Sequence, residues 1–209
     1  MPWKLKSSKR KASRNRKLFA VGILTVTLIA IGMYYVFTSL ASAPATETPI
    51  VQGRVLLQTS MGDIVIELRD DKPITSGNFK NLVEQGKYDG TIFHRVIEGF
   101  MIQGGQIADS VSPINDEIGT DNRNIRGTIA MANTGAPNSA SSQFFINLVD
   151  NGAANTGFDS AYTVFGNVID GMDVVDAISQ VPTVANPAMN NEVSAPVNDV
   201  TLISATILP

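Results

Sequence analysis

Apolar and polar residues alternate from Arg54 to Ser60 and again from Asp63 to Leu68, where Ile64, Ile66 and Leu68 face one way and Val65, Glu67 and Arg69 the other. Met61-Gly62 separates the two runs, so they read as an opening hairpin. From Thr75 to Gln85 the period lengthens: Phe79, Leu82 and Val83 fall at helical spacing and Gly86 follows, a residue suited to a helix C-terminus. Met172 to Ser179 fits a second, shorter helix. Strand-like runs occupy Thr91 to Val96, Phe100 to Gln103, Gly127 to Ala132, Gln143 to Leu148, Tyr162 to Val168 and Val200 to Leu208. Many short strands with two helices predict a mainly β domain, a closed antiparallel barrel of eight strands with two capping helices. Val181 to Pro196, with Pro182, Pro187 and Pro196, reads as a surface loop before the last strand.

Ahead of this domain the pattern changes. Residues 18–40 are twenty-three uncharged and mostly apolar residues. A helix of about twenty residues spans a hydrocarbon core, whereas the apolar part of a signal peptide runs to about 7 to 15. The segment therefore reads as an uncleaved transmembrane anchor, although Ala41-Ser42-Ala43 also offers the small residues of a cleaved signal. Residues 1–17 form a basic flank, 41–50 a small, Pro-containing linker, and 51–209 the folded domain. By the positive-inside rule the flank stays in the cytoplasm and the domain is exported, in a bacterium to the periplasmic side of the inner membrane. Signal cleavage would instead release it into the periplasm.

Charge sharpens the division. Eight of the sixteen Lys and Arg residues lie within the first seventeen positions, while all nineteen acids follow Ala45. The remainder carries eight basic against nineteen acidic residues, a net charge of −11. Such an acidic domain excludes nucleic acid as a partner, since the phosphate backbone needs a basic surface. Cysteine is absent, which removes disulfides, thiolate metal sites, cysteine nucleophiles and lipidated-cysteine anchors.

The run Phe93-His94-Arg95-Val96-Ile97-Glu98-Gly99-Phe100-Met101-Ile102-Gln103-Gly104-Gly105 resembles the cyclophilin signature. Gly127 to Asn133 (GTIAMAN), Ser142 to Ile146 (SQFFI), Val164-Phe165-Gly166 and Gly171 to Val175 (GMDVV) are similar to the family's later blocks in the same order. The resemblance spans about 155 residues and points to the bacterial exported cyclophilins. It implies a cyclophilin-like barrel and a peptidyl-prolyl cis/trans isomerase acting on proline-containing polypeptide clients, with no cofactor and no metal.

That reaction rotates the bond before proline against an amide barrier of about 18 to 20 kcal/mol. At the twisted transition state the imide nitrogen turns pyramidal and basic, so a donor aimed at it helps more there than in the ground state. By resemblance Arg95 is that donor. Phe100, Met101 and Phe145 match the pocket for the pyrrolidine ring, Gln103 a polar position orienting arginine and substrate, and Ala132 and Asn133 the backbone edge that pairs with the residue before proline. Gln143 stands beside Phe145 by the period of two, together with Asn147. Phe158 and Tyr162 complete the wall.

Some positions read differently. Alternation cannot place both Phe100 and Met101 on one face of a straight strand, so a bend is expected. Gly104-Gly105 reads as a tight turn, because no Lys-Ser/Thr follows to make a phosphate loop. His94, the one histidine, should face away from Arg95 as a hydrogen-bonded structural residue. Glu98 replaces the signature's usual proline, a change expected to alter turn rigidity. Gly157 stands where many eukaryotic members have tryptophan and Tyr162 where they have histidine, which implies weak cyclosporin binding. A membrane-tethered holdase using the same groove without catalysis is the alternative reading.

Overall fold

The structure, a computed structural model, describes residues 53–154 and 157–209. The basic flank, the 18–40 segment and the 41–50 linker lie outside these residues. Among the described residues no helix is long and apolar enough to cross a membrane.

The opening hairpin forms as expected, from β1 (Arg54–Thr59) and β2 (Gly62–Leu68). Helix α1 (Pro73–Glu84) begins on a proline, which has no N–H to leave unpaired in the first turn. Its other early donors are met from a distant loop. The Glu117 carboxylate accepts the N–H groups of Ile74 and Thr75 at 3.1 and 2.8 Å, placing a negative charge at the positive end of the helix. Strands β3 (Arg95–Ile97), β4 (Met101–Gly104), β5 (Thr128–Met131) and β6 (Phe144–Asn147) follow. Two four-residue helices, α2 (Asn151–Ala154) and α3 (Phe158–Ala161), precede β7 (Val164–Asp170) and α4 (Met172–Ser179). The chain ends with β8 (Thr183–Asn186), a 3-10 turn at Pro187–Met189, β9 (Glu192–Pro196) and β10 (Leu202–Leu208).

Eight strands make one antiparallel sheet in the order β10-β1-β2-β7-β5-β6-β4-β3. The sheet curls into a half-barrel, which corrects the expected closed barrel: its end strands β3 and β10 share no ladder. A single bridge, Ile92 to Thr201, and hydrogen bonds such as Phe93 N–H to Val200 O (2.9 Å) span the gap. The reason lies at β3. It is three residues long, and its free edge is taken by a second, two-stranded sheet of β8 and β9, with Asn186 Nδ2 donating to His94 O at 3.1 Å. The stretch read as a surface loop is thus an ordered hairpin. The two expected helices are joined by α2 and α3, which the sequence pattern did not show.

Strands β4, β5 and β6 are buried along their whole length. One face feeds the main core with Ile102, Ile129, Met131, Phe144 and Ile146, packed with Phe79, Tyr88, Phe93 and Phe165. The other face holds a separate cluster of Met101, Ala130, Phe145 and Val164, covered by Phe100, Phe158 and Tyr162. Burial on both faces means that polar members of these strands, Gln103, Thr128 and Asn147, are also buried and must find partners inside. Gly105 marks a close approach: with φ at 72°, a Cβ there would lie 2.7 Å from the Phe144 ring and 2.9 Å from that of Tyr88.

Candidate active site

Hairpin β3–β4 sets Arg95 opposite Gln103 and Ile97 opposite Met101. In its turn the Phe100 N–H donates to Ile97 O at 3.1 Å, Gly99 takes a φ of 70°, and Glu98 is exposed. Phe100 therefore projects from the turn while Met101 opens β4. This is the bend that alternation demanded, and it lets two consecutive residues reach one pocket.

That pocket is a cavity of about 170 Å³ on the outer face of the sheet, lined by Arg95, Phe100, Met101, Gln103, Ala132, Asn133, Phe145, Phe158, Tyr162 and Met189. All but one of the site residues read from the sequence meet here. The exception, Gln143, lines an adjoining hollow of about 80 Å³ with Ala132, Asn133, Thr134, Ser139 and Ser141. Two larger hollows, near 580 and 570 Å³, lie away from Arg95. Four aromatic rings form the apolar wall: Phe158 lies 5.5 Å from Phe100, 6.0 Å from Phe145 and 4.8 Å from Tyr162, and Phe145 lies 5.3 Å from Tyr162, mostly edge to face. Gly157, just before Phe158, has nothing within 4 Å of where its Cβ would be.

A chain of polar groups crosses the other side. Arg95 Nη1 reaches Gln103 Oε1 at 3.5 Å, and Gln103 Nε2 donates to Gln143 Oε1 at 2.9 Å. The guanidinium carbon stands 5.7 Å from the centre of the Phe100 ring, within cation–π range. Ala132 spends its N–H on Gln143 O at 2.8 Å, so the edge for an incoming backbone lies at Asn133, whose side chain is tied to Ala161 O and Gly135 N. Such a site combines an apolar slot, an oriented cationic donor and, at Asn133, backbone just past the end of β5.

A sequence model of the cyclophilin type peptidyl-prolyl cis-trans isomerase/CLD family matches residues 54–207. This chain belongs to that family. The cyclophilin domain is 46% identical over 164 residues to peptidyl-prolyl cis-trans isomerase B of Escherichia coli K12, covering 73% of this chain and 98% of that protein. It is 47% identical over 152 residues to the peptidyl-prolyl cis-trans isomerase of Acinetobacter baylyi, covering 69% and 79%. A crystal structure of a Cryptosporidium parvum cyclophilin in the presence of the dipeptide Ala-Pro superposes with a TM-score of 0.62 at 27% identity, covering 75% and 99% of the two chains. The chain is a peptidyl-prolyl cis-trans isomerase.

Two features of this cyclophilin were not legible in its sequence. Met189 adds an apolar contact to the pocket, and Glu192 pairs with Arg95: Nε donates to Oε1 at 2.8 Å and Nη2 to Oε2 at 3.0 Å. The guanidinium holds the Glu192 carboxyl below the usual carboxylate range by these hydrogen bonds. Both residues lie in the segment read as a loop, and no local pattern signals an ion pair between residues 97 positions apart. His94 lines a separate hollow of about 580 Å³ beside Lys87 and Asp109, its ring buried near Ile92 and Gln143 without a hydrogen bond of full geometry to either. Its carbonyl accepts from Asn186 Nδ2.

Proposed function

We propose that Arg95 is the electrostatic catalyst of this isomerase, acting on Xaa-Pro bonds of exported polypeptides. What carries the reading is the placement of the Arg95 guanidinium at the rim of the slot formed by Phe100, Met101 and Phe145. The pyrrolidine ring enters the slot and stays fixed. The segment before it pairs with the Asn133 edge, and Gln103 and Gln143 orient the amide. As the imide twists, its nitrogen lone pair localises, and an Arg95 N–H donates to it. No covalent bond forms or breaks, so the site works by holding one side of the bond and stabilising the twisted geometry. Residues 18–40 and the basic flank support an anchor in the bacterial inner membrane with the domain on the periplasmic side. Glycine at position 157, where many eukaryotic members have tryptophan, supports weak binding of cyclosporin.

The test is a protease-coupled isomerisation assay of the full chain on a Xaa-Pro peptide. Arg95→Ala is expected to cost about 100-fold in kcat/KM, as loss of a transition-state donor does, while the fold persists. A folded native chain with no activity would leave the groove a binding site for proline-containing segments, the holdase reading. Alkaline carbonate that releases the protein from membranes would remove the anchor.

A further inference from the structure

The β8–β9 hairpin places a carboxylate against the cation of the pocket, and its local sequence shows how. Pro187 opens the 3-10 turn, and Asn186 Oδ1 caps it by accepting the Ala188 N–H at 3.1 Å. Asn190 and Asn191 then adopt φ of 51° and 61°, a left-handed conformation that asparagine tolerates, and Asn191 N–H returns to Asn186 O at 2.9 Å. This reversal makes Glu192 the first residue of β9. By alternation Glu192 shares a face with Ser194, which is fully buried, whereas Val193 is 62% exposed. The carboxylate therefore points inward, toward β3.

Its contact with Arg95 is bidentate along the Nε–Nη2 side of the guanidinium. That choice of side leaves Nη1 on the edge toward Gln103 and the slot. We infer that Glu192 is a positioning residue, which fixes the Arg95 guanidinium so that its Nη1 edge faces the prolyl bond. An arginine on its long stem has many rotamers, and a donor meant for a lone pair that exists only in the twisted state must be aligned before the twist occurs. The planar fork of the guanidinium matches a carboxylate in one geometry only, so the pair sets direction as well as distance. Partial neutralisation of the cation costs little here, because the transition state presents a neutral nitrogen lone pair and not an anion. Met189, from the same turn, lines the slot. The hairpin thus supplies both an orienting carboxylate and a piece of wall.

The inference rests on Arg95 as the donor, and the experiment separates the two. In the full chain, kcat and KM are measured for Glu192→Gln, which keeps size but cannot accept both N–H groups. The expected result is a fall in kcat of about 10-fold with KM nearly unchanged, short of the roughly 100-fold that full misplacement of a catalytic group can cost. Glu192→Asp is expected to recover part of the loss. In an Arg95→Ala background, assayed at raised enzyme concentration, Glu192→Gln should change nothing further, since a residue acting through Arg95 has nothing left to position. An additive loss in that background would mark Glu192 as merely structural and overturn the inference. So would an unchanged kcat, or a raised one, which would make the pair a brake. If Arg95→Ala itself keeps full activity, the donor assignment fails first; if it loses activity while Glu192→Gln does not, the positioning role alone fails.

Discussion

Phe144 and Phe145 are neighbours in β6 and serve opposite sides of the sheet. Phe144, fully buried, is surrounded by other rings: Phe79 and Tyr88 at 5.6 Å and Phe93 at 6.2 Å, each near edge to face. Phe145 is almost as buried, at 4% exposure, but its partners are Met101, Ala130, Val164 and the rings of Phe158 and Tyr162, with a cavity in front of it. The same side chain is packing material on one face and the floor of a slot on the other. What differs is whether the surroundings close over it. The inner face is filled, so its stability depends on every ring; the outer face is left short of filling, and that shortfall is the binding site.

The comparison can be broken most directly by Phe144→Ala. Removing a ring from the filled face is expected to cost about 3 to 5 kcal/mol, a large part of a total that in domains of this size is about 5 to 15 kcal/mol. Urea unfolding of the full chain measures it, and a cost below about 1 kcal/mol would mean that the inner face is not tightly packed. Phe145→Ala should reverse the balance. Because the outer face can rehydrate, its stability cost is expected to be nearer 2 kcal/mol, while kcat/KM for a Xaa-Pro peptide should drop by 10-fold or more as the slot loses its floor. Equal effects of the two substitutions on stability and on activity would erase the distinction between the faces.

The parts of this molecule that were legible in the sequence are those whose signal is local. Ile64, Ile66 and Leu68 announce β2 by alternation, Phe79, Leu82 and Val83 announce α1 by helical spacing, and the block from Phe93 to Gly105 carries the site. Closure of the barrel was not legible, because it depends on whether β3 meets β10 or a hairpin more than eighty residues away. The hairpin itself was hidden by its own chemistry. Val184 and Val193 are exposed at 51% and 62%, so β8 and β9 show no apolar face against the core, and their prolines and asparagines read as loop. Glu192 was hidden with them. Its partner is specified only by the fold, and a single acid in a polar stretch is by default a solvated one.

His94 and Arg95 repeat the contrast at the smallest scale. Arg95 reaches the outer site and is held there by Glu192, while the His94 ring is buried beside the Lys87–Asp109 hollow. Burial pushes the imidazole pKa below its ordinary value, so the folded protein holds this ring neutral under conditions in which the unfolded chain would protonate it. The sign follows: between the two pKa values the unfolded state binds more protons, so stability is complete above about pH 6.5 and falls as pH drops below it. The carboxylates that ion pairs hold low, such as Asp109 beside Lys87 and Glu192 beside Arg95, remain ionised in this range and do not contribute. Unfolding free energy measured at about pH 7.5 and 5.5 should therefore decrease in the native chain, by less than either phenylalanine substitution costs. With His94→Leu, an apolar residue that carries no unpaired nitrogen, that decrease should vanish. A pH dependence that survives the substitution would place the titrating group elsewhere.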